Sequence, residues 1–333
     1  MESKLADAIG LGDFPEPPAG MDGWPWKVTW SQLRSKVSNG TQLPKISIIT
    51  PCLNQGDYLE ETIRSVLLQG YPNIEYFIID GGSTDQSLNI IRKYEQWLTG
   101  WVSEKDDGQS AAINKGYDRC TGEIFNWLCS DDLLVEGALE VVARKFMQDT
   151  SCDVLAGACL CQYDEEQDKS LVRSARVKNW ELTPYAAAIW QPSCFVRRPL
   201  IERQKYVSED LHYCMDRELW CYLLSMGARW RWIDETLSVY RYTGFNKSTV
   251  GKQEIIEELE RIYRIYVPEI IPLPVILRRI WLPLVLKKSH HQSQGIKCTY
   301  WTLGKVLALI LLVVYPWQRV RTLQHEFYRY SVG

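Results

Sequence analysis

Three short polar clusters, each following an apolar run, hold the residues best suited to chemistry in this 333-residue chain. The first is Thr50-Pro51-Cys52-Leu53-Asn54, the second Asp80-Gly81-Gly82-Ser83-Thr84-Asp85, and the third Ser130-Asp131-Asp132. Adjacent carboxylates such as Asp131 and Asp132 repel one another unless a cation or a proton is shared between them. Hard oxygen ligands of this kind suit Mg2+ or Mn2+, held by one or two carboxylates together with substrate phosphates. The competing reading is a solvated turn or a helix cap ahead of Val135. Asp80 can accept a hydrogen bond from the N–H of a flat base, with Gly81 and Gly82 leaving room for a ring, or it can belong to an ordinary Asp-Gly turn. Further along, Asn114 and Lys115 follow Asp106-Asp107-Gly108. Lys115 suits a phosphate contact as well as it suits a solvated helix face.

The elements that must position these clusters are legible from apolar periodicity. Ile46–Thr50 is a β-branched run ending at Pro51, which reads as a strand and a loop. Apolar residues at 59, 63, 66 and 67 predict a helix over 58–68. Ile74–Asp80 reads as a second strand, and Ser83-Thr84-Asp85 can cap a helix running to about Leu98. A short strand at Trp101-Val102, a helix over Gln109–Arg119 and a strand over Gly122–Cys129 follow. Such short connections between strands and helices predict an α/β fold with a mainly parallel sheet and helices on both faces. Ligands of such sheets bind at the carboxyl ends of the strands, which is where all three clusters fall.

The ordered succession of Thr50-Pro51-x-x-Asn54, Asp80-Gly-Gly-Ser-Thr-Asp85, Asp106-x-Gly-x-Ser-x-Ala-Ile-Asn114-Lys-Gly116 and Trp127-Leu-x-Ser-Asp131-Asp132 resembles bacterial family 2 glycosyltransferases, inverting enzymes of GT-A (Rossmann-like) fold. The likeness runs over about residues 45–250. It implies a donor-nucleotide site at Thr50, Pro51, Asn54, Asp80, Asn114, Lys115 and Asp131, with Asp80 on the base of a UDP-type donor. It implies Asp132 as the ligand of Mn2+ or Mg2+, while the family's usual first Asp of Asp-x-Asp falls on Cys129 or Ser130. Met215 and Asp216 stand where the family has Glu-Asp, which implies Asp216 as general base. Trp190, Gln191, Glu218, Arg241 and Lys247 are the implied contacts to acceptor or diphosphate. Many relatives carry His where Thr243 falls. The departures at Cys129, Met215 and Thr243 leave open a non-catalytic sugar- or lipid-binding module on the same fold.

Other classes are excluded or disfavoured. A net charge of −3 argues against nucleic acid as a partner. Nucleotidyl transfer calls for a basic, Gly-rich loop after the first strand, and Pro51-Cys-Leu-Asn-Gln-Gly56 has one glycine and no Lys or Arg. A Gly-x-Gly-x-x-Gly dinucleotide fingerprint is missing there too. None of the four histidines forms a helical i, i+4 pair for zinc. The ten cysteines include no Cys-x-x-Cys, and Met1–Phe14 has no apolar signal-peptide core. Reduced core thiols in a cytoplasmic protein are therefore expected.

The chain divides by composition into a Pro- and Trp-rich arm (1–44), the glycosyltransferase-like domain (45–250) and a helical C-terminal region (251–333). The arm's Trp24, Trp26 and Trp30 are expected to dock on the body. In the last region Glu254–Tyr266 is amphipathic, with Ile255, Ile256, Leu259, Ile262, Tyr263 and Tyr266 on one face. From 275 to 330 there are nine Lys/Arg and one acid, leaving 29 basic and 40 acidic residues elsewhere, a net of −11. Val306–Tyr315 is continuously apolar but spans about 15 Å as helix, half a bilayer core. It reads either as an in-plane anchor at an anionic membrane or as a core helix. The expected partners are a nucleotide-sugar donor and a saccharide or lipid-linked saccharide acceptor, met in bacterial polysaccharide or glycolipid assembly, with peripheral contact at the inner face of the plasma membrane.

Overall fold

The computed structural model describes residues 14–27, 43–163, 169–174, 189–202, 207–244, 246–247 and 252–266. Its first half alternates strand and helix: β1 (Ile46–Cys52), α1 (Gly56–Leu67), β2 (Ile74–Asp80), α2 (Ser87–Tyr94), β3 (Gly100–Ser103), α3 (Gln109–Tyr117) and β4 (Ile124–Trp127). β1 pairs in parallel with both β2 and β4, and β2 with β3. Every residue of β1 is buried, as expected of a parallel strand covered on both faces. The register sets Cys52 beside Asp80 and Asp80 beside Ser103. The carboxyl ends of the first strands therefore lie side by side.

The second half extends the same sheet with mixed polarity. It comprises β5 (Leu133–Leu134), α4 (Ala138–Gln148), β6 (Val154–Tyr163), β7 (Lys169–Arg173), β8 (Cys194–Arg197), α5 (Arg198–Glu202) and β9 (Trp230–Tyr242). The strand order is β3-β2-β1-β4-β8-β6-β9-β5, with β7 also paired to β6. β8 is antiparallel to β4 and β6, β5 is antiparallel to β9, and β9 is parallel to β6. The parallel expectation thus describes the half that carries the three polar clusters, and an antiparallel insertion widens the rest.

Boundaries differ from the sequence reading where a side chain stops an element. The strand expected from Gly122 begins at Ile124, because the Gly122 N–H donates to Ser47 Oγ and Glu75 Oε2. A Cβ on Gly122 would lie 2.4 Å from Ser47 Oγ, so only glycine fits. The helix expected up to Leu98 ends at Tyr94 and continues as a 3-10 turn, Glu95–Trp97.

Residues 14–27 of the arm are anchored on one buried cation. The Arg64 guanidinium donates to the carbonyls of Pro15, Pro25 and Trp26 and to the Tyr94 hydroxyl. It lies over the rings of both Phe14 and Trp26, and Trp24 Nε1 donates to Leu134 O at 2.8 Å. Trp30 lies outside the described residues.

The chain divides into two units. The first holds the sheet. The second holds α6 (Met215–Ser225) and α7 (Lys252–Tyr266). Glu258 on α7 accepts the backbone N–H groups of Tyr213 and Cys214, 2.8 and 2.7 Å away, at the start of α6. Ile255, Leu259 and Ile262 are buried, as the amphipathic pattern predicts; the side chains of Ile256 and Tyr263 lie outside those described. Val306–Tyr315 also lies outside the described residues. Among the described residues no helix is long and apolar enough to cross a membrane. No disulfide joins the nine described cysteines, eight of which are buried.

Candidate functional site

At the end of β1 the loop to α1 is fastened to the loop after β2. Asn54 adopts φ +52°, a left-handed conformation that asparagine tolerates better than most residues. Its N–H donates to Ser83 Oγ at 2.7 Å, and its side-chain oxygen accepts the Thr84 N–H at 2.8 Å. Asp85 accepts from the Gly56 N–H with one oxygen and from the Ser87 N–H with the other, so one carboxylate holds the starts of α1 and α2. Thr50 is fully buried, its hydroxyl 3.0 Å from that of Tyr76. Pro51 is buried beside it.

Asp80 is 0% exposed. Its carboxylate accepts from the Gly82 and Ser83 N–H groups, from Ser83 Oγ, and from Ser103 Oγ at 2.6 Å. These bonds shape the Gly81-Gly82-Ser83 loop and tie it to β3. Directly over Gly81 sits the half-buried Asp106 carboxylate, which would lie 3.0 Å from a Cβ added there and accepts the Gly108 N–H. Asn114 uses its amide on Val207 and Glu209: Nδ2 donates to Val207 O and Glu209 Oε1, and Oδ1 accepts the Val207 N–H. Lys115 pairs with Glu104 at 2.8 Å. Both residues thus have partners within the fold.

The third cluster is the most concentrated. After β4 the Asp132 N–H returns to Cys129 O at 2.9 Å, a tight turn that brings three side chains together. Ligand atoms of Cys129, Asp131 and Asp132 all lie within 4.8 Å of one another. Burial raises the pKa of Asp131, partly opposed by the Arg241 charge. Burial and then the Asp131 charge hold Asp132 well above the ordinary carboxylate range. A buried carboxylate beside a half-buried one favours sharing a proton unless a cation takes its place. The donor set of two carboxylates and a thiol fits a divalent ion.

Arg241 organises this turn. Its backbone N–H donates to Asp132 Oδ1 at 3.3 Å and its Nε to Asp131 O. The rest of the guanidinium is spent on Glu61, on Tyr58 O and on Thr62 Oγ1, above the Tyr58 ring. Arg241 is 5% exposed. Every arm of the cation is thus engaged inside the fold. Asn246 adds a bond from Nδ2 to Asp131 Oδ2 at 3.0 Å.

Gln191 is likewise built in, donating to Asn126 Oδ1 and Trp127 O, while Asn126 Nδ2 donates to Pro192 O. Trp190 packs edgewise on Tyr240, and Tyr240 on Tyr242. In the second unit Asp216 lies in the first turn of α6 and accepts the Arg217 N–H at 2.8 Å, where the helix dipole favours a carboxylate. Glu218 accepts the Tyr266 hydroxyl at 2.8 Å. Lys247 also belongs to this unit.

Sequence reasoning missed Glu61, Asn246 and Asp106. Asn246 falls inside the loop whose cations drew attention, and Asp106 inside a recognised motif. Glu61 carries no signal, since its partner is 180 residues away.

Residues 47–207 match the family model "Glycosyl transferase family 2". Among curated proteins, TuaG of Bacillus subtilis, a glycosyltransferase whose name proposes a role in teichuronic acid biosynthesis, is 37% identical over 112 residues, covering 33% of this chain and 44% of that one. An uncharacterized glycosyltransferase of Haemophilus influenzae is 31% identical over 138 residues, covering 40% and 55%. The matches thus span about half the length of these relatives. Among solved structures, S. aureus TarS 1–349 with UDP-GlcNAc aligns at TM-score 0.52 and 19% identity, over 67% of each chain. The mannosyltransferase PcManGT of Pyrobaculum calidifontis, with GDP-Man and Mn2+, aligns at 0.55 and 16% over 98% and 97%. The likeness to these structures is one of fold, the GT-A type, and the region 47–207 is that of a family 2 glycosyltransferase by its match to the family model.

Proposed function

We propose that the protein is an inverting glycosyltransferase that moves a sugar from a nucleotide-diphosphate donor of UDP type to an acceptor hydroxyl. The observation that carries this reading is the turn after β4, where Asp131 and Asp132 converge at the carboxyl end of the parallel strands under the hold of Arg241 and Asn246. The solved neighbours, TarS with UDP-GlcNAc and PcManGT with GDP-Man and Mn2+, support a nucleotide-sugar donor. Asp132, with Asp131, would hold a divalent cation, which offsets charge on a leaving diphosphate when bound.

In this reading Asp216 accepts the proton of the acceptor hydroxyl as its oxygen bonds to the anomeric carbon. The bond from that carbon to the diphosphate oxygen breaks in the same displacement, which inverts the centre. Loop 81–83, fixed by Asp80, and loop 53–56, fixed by Asn54, frame the nucleoside. The reading extends to bacterial polysaccharide or glycolipid assembly at the inner face of the plasma membrane, supported by the basic, apolar composition of residues 275–330.

Release of nucleoside diphosphate from a panel of nucleotide sugars tests the assignment. The wild type should release it, and Asp216→Asn should slow release by at least about 100-fold with nucleotide binding unchanged. Full turnover in Asp216→Asn would remove that residue as the base. No release by the wild type from any donor would favour the binding-module reading.

A further inference from the structure

We propose that Cys129 is itself a ligand of the cation held by Asp131 and Asp132, so that this site prefers Mn2+, Co2+ or Zn2+ to Mg2+. The inference rests on the cation-binding reading above and names a donor that two carboxylates alone would not supply.

Four observations carry it. First, the Cys129 sulfur and one oxygen from each carboxylate lie within 4.8 Å of one another, the one such convergence of His, Cys, Asp and Glu among the described residues. Ligands held 2.0–2.3 Å from one ion at tetrahedral angles sit roughly 3.3–3.8 Å apart, so side-chain rotation closing the widest separation by at most about 1.5 Å brings all three onto one ion. Second, Cys129 differs from the other described cysteines. Those eight are buried and serve as small apolar groups, whereas Cys129 is half-buried on the polar turn. Third, Gln109 Nε2 donates to Cys129 Sγ at 3.2 Å. The sulfur already acts as an acceptor, and an orienting partner of this kind is what ligating atoms commonly have. Fourth, the carboxylates are oriented in the same way, Asp131 Oδ2 by Asn246 Nδ2 and Asp132 Oδ1 by the Arg241 N–H.

The consequence for the ion follows from ligand softness. Mg2+ seeks oxygen ligands, whereas a thiolate strengthens binding of the later first-row ions. On binding, the Cys129 S–H bond breaks, a sulfur–metal bond forms and the proton leaves to solvent. The turn also explains why a cysteine can serve there: Asp132 N–H to Cys129 O closes the backbone and aims the side chains of 129 and 132 at one point.

The test is a titration of the full chain with Co2+, with and without UDP, followed by absorption. A sulfur-to-cobalt charge-transfer band in the near ultraviolet, saturating at one equivalent, is the expected result. Cys129→Ser should still bind Co2+ but without that band and at least about tenfold more weakly, with Mg2+ binding unchanged. Cys129→Asp should bind Mg2+ more tightly than the wild type and show no band, which guards against a folding defect in the serine variant. Co2+ bound to the wild type with no charge-transfer band, or a band that persists in Cys129→Ser, overturns the assignment of Cys129. A band that survives Asp132→Ala places the ion elsewhere and overturns it as well. No Co2+ binding by the wild type, even with UDP, overturns the cation-binding reading beneath it.

Discussion

At the scale of single residues, the turn that carries Asp131 and Asp132 is held by a cation bound into the fold. Arg241 is a cation that sequence alone offers as a diphosphate contact, yet its guanidinium is enclosed by Glu61, Tyr58 and Thr62 while its Nε holds the turn of Asp131. Breaking a buried ion pair by removing one partner leaves an uncompensated charge and costs about 3–5 kcal/mol. Arg241→Gln should therefore lower stability by about 3 kcal/mol in a denaturant titration. Glu61→Gln added to it should cost little more, because the two substitutions delete one interaction. A loss that is small, or fully additive with Glu61→Gln, would contradict this role. The convergence of Asp131 and Asp132 was legible because two adjacent acids follow directly on a strand. The role of Arg241 was not, because an isolated cation carries no mark of its burial.

At the scale of elements, β1, β2 and the approach to β4 are joined by one acid. Glu75 accepts from Ser47 Oγ at 2.7 Å, from Thr121 Oγ1 and the Thr121 N–H, from the Gly122 N–H, and from Lys45 Nζ. Burial pushes its carboxyl up, but these bonds outweigh burial and hold the pKa at about 2, below the ordinary 4.5. A carboxyl depressed in the folded state contributes stability that is full above pH 4.5 and is lost as pH falls toward 2. The melting temperature should fall over that window, and Glu75→Gln should flatten the fall while lowering stability at neutral pH. An unchanged acid limb in that variant would count against Glu75 as its source. The parallel half could be anticipated because its strands are continuous apolar runs separated by helix-period segments. The mixed half could not, since β6 pairs with β9 across more than 70 residues and no local pattern announces a partner so distant.

At the scale of the molecule, the described residues form a nine-stranded sheet in one unit and helices α6 and α7 in a second, and the division does not follow the composition. The sequence pattern suggests a break near residue 250, whereas α6, at 215–225, groups with α7 through Glu258. Such grouping depends on a helix cap between distant residues, which composition does not reveal. The charge asymmetry, a net of −11 outside residues 275–330 against nine cations and one acid within them, makes its own prediction. The 333-residue chain should float with vesicles containing anionic lipid and less so with zwitterionic ones, and added salt should release it. Equal flotation with and without residues 270–333 would contradict a membrane role for that region.

In the proposed function, the turn carrying Asp132 binds a nucleotide diphosphate through a divalent cation. Thermal denaturation of the full chain against UDP, GDP and dTDP, each with and without Mn2+, tests it most directly. A ligand at 100 times its Kd stabilises the folded state by about 2.7 kcal/mol, which a melting curve resolves. UDP should raise the Tm only with Mn2+ present, and Asp132→Ala should abolish the shift. A Tm unmoved by every nucleotide, or a shift that survives intact in Asp132→Ala, would contradict it.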